Sequence, residues 1–80
     1  MGNLKALSDL KAHDKGKVKQ ITGQGQFKKK LLDMGVIPGS EFEVLRVAPL
    51  GDPVEIRIKG YNLSLRKEEA RQVSVEVKEE

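Results

Sequence analysis

The chain has 80 residues, of which 34% are charged and 38% apolar, with a formal net charge of +3 and no cysteine. That length allows one domain over residues 1–80 with a single compact core, and the lack of cysteine excludes a disulfide framework and a thiolate metal site. No apolar run approaches the ~20 residues that span a bilayer, and the N-terminus lacks the apolar core of a signal peptide, so the expected location is cytoplasmic.

In chain order, Leu4, Leu7 and Leu10 recur every three residues, and Leu7-Ser8-Asp9-Leu10 reads as a turn or a single helical turn. Asp14-Lys15-Gly16 carries turn chemistry. Gly16 to Thr22 reads as the first strand, with Val18 and Ile21 apolar and the alternation imperfect. A connector, Gly23-Gln24-Gly25, comes next. Phe27, Leu31 and Met34 then fall at i, i+4 and i+7, which places them on one face of a helix from Gln26 to Met34. Gly35 comes directly after the last periodic residue and suits the left-handed position that ends many helices, because it has no Cβ to clash. With Gly35 at C′, the Schellman arrangement predicts a contact between Val36 and Leu31. Pro38-Gly39 fits the central pair of a type II turn, proline fixing φ and glycine supplying φ > 0.

Beyond that turn the apolar period drops to two. Glu41 to Ala48 reads as a strand with Phe42 and Val44 on one face and Leu45 and Val47 on the other, the pattern of a strand bending between two sheets of a small barrel. Pro49-Leu50-Gly51-Asp52-Pro53 is a loop, since its prolines do not fit a strand interior. Val54 to Lys59 alternates cleanly, with Val54, Ile56 and Ile58 inward. Gly60-Tyr61-Asn62 reads as a turn or bulge, Leu63 to Arg66 as a short strand, and Lys67 to Ala70 as one helical turn. Val73, Val75 and Val77 define the last strand, and Lys78-Glu79-Glu80 a solvated tail. The sum is a mainly β fold: a small barrel of about five strands with one short helix after the first. The expected core is Leu10, Val18, Ile21, Phe27, Leu31, Met34, Phe42, Val44, Ile56, Ile58, Leu65, Val73 and Val75.

Three blocks in order carry a resemblance: 31–39 (Leu-Leu-Asp-Met-Gly-Val-Ile-Pro-Gly), 48–53 (Ala-Pro-Leu-Gly-Asp-Pro) and 65–70 (Leu-Arg-Lys-Glu-Glu-Ala). Together they resemble the FeoA family, small proteins of bacterial ferrous iron uptake, over about residues 4–77. The resemblance implies an SH3-like barrel. It also implies a role as accessory partner to FeoB, the membrane iron transporter with a cytosolic GTPase domain. Similar domains end some iron-dependent repressors, but no DNA-binding helices precede the barrel here.

The residues themselves point away from catalysis. His13 is the one histidine, no nucleophile–base spacing stands out, and no G-x-x-x-x-G-K-[ST] phosphate loop occurs. The chain is therefore expected not to be an enzyme and to hold no cofactor. Ferrous iron would have His13, Asp14, Asp33, Asp52 and Glu55 as donors, which is no ligand cluster, and the metal site is left unassigned. Lys28-Lys29-Lys30 lies in the first turns of the helix, where the dipole disfavours cations. It is either a solvated face or a docking patch for an acidic partner. Leu50 either folds back onto the barrel or, with Pro49 and Asp52 beside it, forms an exposed anchor. The expected partner-binding set is Lys28, Lys29, Lys30, Pro49, Leu50 and Asp52, while Gly35, Pro38, Gly39, Gly51 and Pro53 shape turns. Arg66 and Glu69 read as a local ion pair, and nothing marks Arg46, Arg57, Arg66 or Arg71 as an arginine finger.

Two functions compete. One is a non-catalytic module that engages and modulates FeoB. The other is a small basic barrel binding RNA or DNA, which would need stacking aromatics beside a basic groove. Phe27 and Phe42 are required by the core, which leaves Tyr61 alone for that task.

Overall fold

A computed structural model describes residues 4–78; the expected tail residues Glu79 and Glu80 lie outside that range. The elements run β1 (Leu4–Ala6), a 3-10 turn (Leu7–Asp9), β2 (Lys15–Ile21), α1 (Gly25–Asp33), β3 (Glu41–Val47), β4 (Val54–Ile58), β5 (Tyr61–Leu65), α2 (Lys67–Arg71) and β6 (Val73–Val77). The strands form one antiparallel sheet in the order β1-β6-β2-β3-β4-β5. Six strands replace the expected five. The extra one is β1, a three-residue edge strand held only by β6 and too short to show a period of its own.

Every strand but β1, which buries no residue, sends one face to a shared core. Val18, Ile21, Phe42, Val44, Val54, Ile56, Ile58, Leu65, Val73 and Val75 are buried there, and Leu7, Leu10, Leu31, Val36 and Ala70 close it from the connections. Phe27 and Met34, both expected inside, are only half-buried against this cluster. Leu7, Val36, Val54 and Ala70 complete it.

Two irregularities explain the imperfect alternation. The β2–β6 register shifts between Val18 and Gln20, so Val18 and Ile21 both reach the core although they stand three apart. The β3–β4 register shifts between Val44 and Arg46. A bulge inserts one residue and re-aims the side chains beyond it. Leu45 is that residue, and Val47 returns to the inner face opposite Val54. The expected strand with apolar groups on two faces, passing between two sheets, is instead a bulged strand within one sheet.

The outer face carries a charge ladder: Lys15 faces Glu43, which faces Arg57, and Lys17 lies between Glu41 and Glu76. Gly16, read both as the end of a turn and as the first residue of the strand, is a buried residue of β2. A Cβ there would overlap the Glu76 carbonyl oxygen and lie 3.2 Å from the Val77 Cα, so only glycine lets β6 pass.

The helix end expected at Gly35 is present. Val36 N–H donates to the Leu31 carbonyl and Gly35 N–H to Leu32, both at 3.0 Å, with Gly35 at φ 101°. These are the two bonds of a Schellman cap. Ser40 N–H donates to Ile37 O at 3.0 Å across Pro38-Gly39. The Gly60-Tyr61-Asn62 reading shifts by one residue. Lys59 and Gly60, at φ 54° and 86°, form a two-residue hairpin loop, and Tyr61 and Asn62 already belong to β5.

Candidate interaction surface

The β3–β4 loop holds Leu50 away from the core. Gly51 N–H donates to Ala48 O at 2.7 Å, and Ala48 N–H to Pro53 O at 3.1 Å, which closes the loop at its neck. Pro49 and Leu50 occupy the centre of this turn, where a fixed proline φ is favourable. Leu50 is 86% exposed, the most exposed of the large apolar residues described. Fold-back onto the barrel is therefore not its arrangement. Asp52 is exposed, and its Oδ1 accepts the Lys67 N–H at 3.1 Å, tying the loop to the start of α2. The Asp52–Pro53 peptide is cis. The Lys67 side chain passes beside Gly51.

On the other side of α2 lies the lysine run of α1. Lys28 and Lys29 are exposed. Lys30 is committed within the chain, its Nζ 2.8 Å from Glu69 Oε2. The expected Arg66–Glu69 ion pair is corrected here: the Glu69 carboxylate accepts the Arg66 backbone N–H at 2.9 Å, and its ionic partner is Lys30. The residue is buried, at 7% exposure. Burial pushes its carboxyl up. The hydrogen bonds from Lys30 and from the Arg66 N–H, helped by the charges of Lys30 and Arg66, outweigh this and hold it below the usual carboxylate range. Thus α2 joins the candidate segments, gripping α1 through Glu69 and the loop through Lys67. Neither contact leaves a local trace in the sequence, because each joins residues from separate segments.

Tyr61 is likewise engaged. Its hydroxyl donates to the Met34 carbonyl at 2.9 Å, over the helix cap. Phe42 is buried and Phe27 half-buried, so the described aromatics do not line a groove. The candidate metal donors are spread apart. His13 is exposed in a left-handed turn, its N–H bonded to Val44 O at 2.8 Å. Asp14 Oδ2 accepts the Lys11 N–H at 2.9 Å, and Glu55 accepts from Arg46 Nε at 3.1 Å. Asp33 is exposed at the end of α1. Among the described residues no three His, Cys, Asp or Glu side chains converge as a metal site, and no helix is long and apolar enough to cross a membrane.

A closed core under a single curled antiparallel sheet, with a short helix after its second strand and a rigid apolar-tipped loop, defines a small SH3-like β-barrel. A Stenotrophomonas maltophilia FeoA, described as a procaryotic SH3 domain protein complexed with zinc, shares that fold: TM-score 0.78 at 24% identity, over 90% of this chain and 89% of its own. The FeoA domain family matches residues 5–77, and the chain belongs to that family. A FeoA-like protein from Clostridium acetobutylicum superposes with a TM-score of 0.90 at 39% identity, over all of this chain and 93% of its own. A Porphyromonas gingivalis Fe(2+) transport protein A/Fe(2+) transporter FeoB fusion protein is 42% identical over 71 residues, which is 89% of this chain and 8% of that protein. The chain thus spans a small fraction of the fused relative's length.

Proposed function

We propose that this chain is a non-catalytic accessory module of bacterial ferrous iron uptake that engages a FeoB-type transporter from the cytoplasmic side and modulates it. The observation that carries the reading is the fusion: in the Porphyromonas gingivalis relative, a matching segment is joined in one chain to an iron transporter. Ferrous iron is then the transporter's cargo. The contact is made by the rigid loop tip, with Leu50 and Pro49 as the apolar anchor, and Lys28 and Lys29 steer the approach. Asp52 and Lys30 serve from within, holding the loop and α1 in place against α2.

Burying Leu50 in a partner contributes about 1.5–3 kcal/mol, or roughly 10- to 150-fold in Kd. The test is an NMR titration of the chain with a FeoB cytosolic domain, then calorimetry on Leu50→Ala. Amide shifts centred on 49–52 and binding weakened by at least about tenfold are expected. Wild-type affinity in a folded Leu50→Ala protein would overturn the assignment of the contact, and absence of binding by the wild-type chain would overturn the function.

A further inference from the structure

The positive excess of the chain is concentrated on its two helices. α1 carries Lys28, Lys29 and Lys30 against Asp33, and the segment 66–71 carries Arg66, Lys67 and Arg71 against Glu68 and Glu69. The rest of the chain, with nine of the 15 Lys and Arg and nine of the 12 Asp and Glu, is neutral, so the whole net charge of +3 falls on these segments. The Lys30–Glu69 pair cancels within the fold. That leaves Lys28, Lys29, Arg66, Lys67 and Arg71 exposed, against Asp33 and Glu68. The helices adjoin. Lys30 meets Glu69, and a Cβ on Gly23 would stand 3.0 Å from Phe27 Cδ1 and 3.6 Å from Gln72 Oε1, which sets the start of α1 beside the end of α2. Asp52 ties the Leu50 loop to the start of α2. Apolar tip and surplus cations thus belong to one connected region.

Lys67 joins the two features. Its Cδ, Cε and Nζ each lie 3.9 Å from where a Gly51 Cβ would stand, so its stem is laid along the loop beside the residue that follows Leu50. The charged head stays in water. Among the described residues no carboxylate forms a salt bridge with it. Asp52 is near, but its Oδ1 is engaged by the Lys67 backbone N–H. A surface that covers Leu50 therefore also covers the Lys67 ammonium. A cation that loses its water without gaining a counter-charge is strongly destabilising. The site that takes Leu50 must bring an anion of its own.

We propose that Leu50 docks on an acidic protein surface, where a carboxylate at the edge of the receiving pocket pairs with Lys67 and further acidic side chains face Arg71, Lys28 and Lys29. The inference rests on the reading that the partner is a cytosolic region of a FeoB-type transporter, and it adds the chemistry of that region. The mixed sign of this side favours a protein over a lipid headgroup layer or a phosphate backbone. Asp33, Asp52 and Glu68 are exposed among the cations. A uniformly anionic surface opposes all three, whereas a folded protein can set cations against them. Lys67, next to the buried anchor, slows dissociation; Lys28 and Lys29, further out, speed encounter.

The experiment is stopped-flow binding of the full chain to a FeoB cytosolic domain at about 0.05 M and about 0.5 M salt, across which screening tightens severalfold. The proteins are wild type, Lys67→Gln, Lys67→Arg and, as a control, Lys15→Gln, which removes the same charge from the outer face of the sheet. Lys67→Gln keeps the backbone N–H that holds Asp52, and unchanged amide shifts at 49–52 in the free variant confirm the loop. At low salt Lys67→Gln is expected to weaken binding at least about tenfold, mainly through faster dissociation, and Lys67→Arg to recover most of the loss. Lys15→Gln is expected to stay within about twofold of wild type. Wild-type affinity is expected to fall with salt, a result that needs no variant. Binding indifferent to salt, or equally affected by Lys67→Gln and Lys15→Gln, overturns this inference and leaves the function standing. Absence of binding by the wild-type chain overturns both. Capture of the chain by vesicles of phosphatidylcholine and phosphatidylglycerol, or by a single-stranded oligonucleotide, that needs Lys67 while affinity for the FeoB domain does not, also overturns it.

Discussion

Gly35 and Tyr61 form the contact whose energetics the structure defines most fully. A Gly35→Ala change meets two obstacles. At φ 101° an L side chain costs about 1–2 kcal/mol. The new Cβ also overlaps Tyr61 Oη and lies 3.1 Å from Cζ, so the ring must swing away and give up its bond to Met34 O, about 0.5–1.5 kcal/mol. The expected total is about 1.5–3.5 kcal/mol. Tyr61→Phe alone removes one hydrogen bond at a residue 44% exposed and costs about 0.5–1.5 kcal/mol. In the Tyr61→Phe background the overlap with Oη is gone and the hydrogen bond is already lost, so Gly35→Ala costs the backbone strain and only a slight shift of the ring at Cζ. The two changes are therefore less than additive, by about 0.5–1.5 kcal/mol. Urea unfolding at 25 °C of the four proteins of this cycle measures the coupling, with unchanged m-values as the check that the denatured state is the same. Additivity within about 0.3 kcal/mol, or a Gly35→Ala protein as stable as wild type, would refute the reasoning.

Glu69 predicts an acid-side slope. Its carboxyl is depressed in the folded protein, so the stability it contributes is fully present above the unfolded value of 4.5 and is lost as pH falls through the lower folded value. Unfolding measured against pH is expected to show this slope in wild type and a shallower one in Glu69→Gln. Lys30→Met strands the buried carboxylate with the Arg66 N–H alone. Because the Lys30 side chain is 65% exposed, the cost is about 1–2 kcal/mol, below that of breaking a fully buried pair. Gly16→Ala drives a Cβ into the backbone of β6 and is expected to lower stability by about 1–3 kcal/mol, read as a fall in urea midpoint; an unchanged midpoint would mean that β2 and β6 lie further apart. Replacing Lys28 and Lys29 by Gln is expected to leave stability within about 0.5 kcal/mol of wild type while slowing association with a FeoB cytosolic domain and flattening its salt dependence in stopped-flow traces.

The sequence by itself determined what local rules govern. Gly35 after Leu31, Leu32 and Met34 dictated a helix end, since the two cap bonds close within six residues. The alternation of Val54, Ile56 and Ile58 dictated a strand and its buried face, and the order of the blocks at 31–39, 48–53 and 65–70 carried the family. Pro49 and Gly51 marked the loop, but only the fold showed that Leu50 stands clear of the barrel. Tertiary structure alone decided the rest. Whether Lys30 faces solvent or Glu69, whether Tyr61 stacks or locks a helix end 27 residues earlier, and why Gly16 must lack a side chain all depend on which segments the sheet brings together. The bulges at Lys19 and Leu45 arise from pairing with β6 and β4, and β1 is a strand only because β6 supplies its hydrogen bonds. Periodicity and turn chemistry act over a few residues, whereas these contacts exist only after the chain has closed on itself.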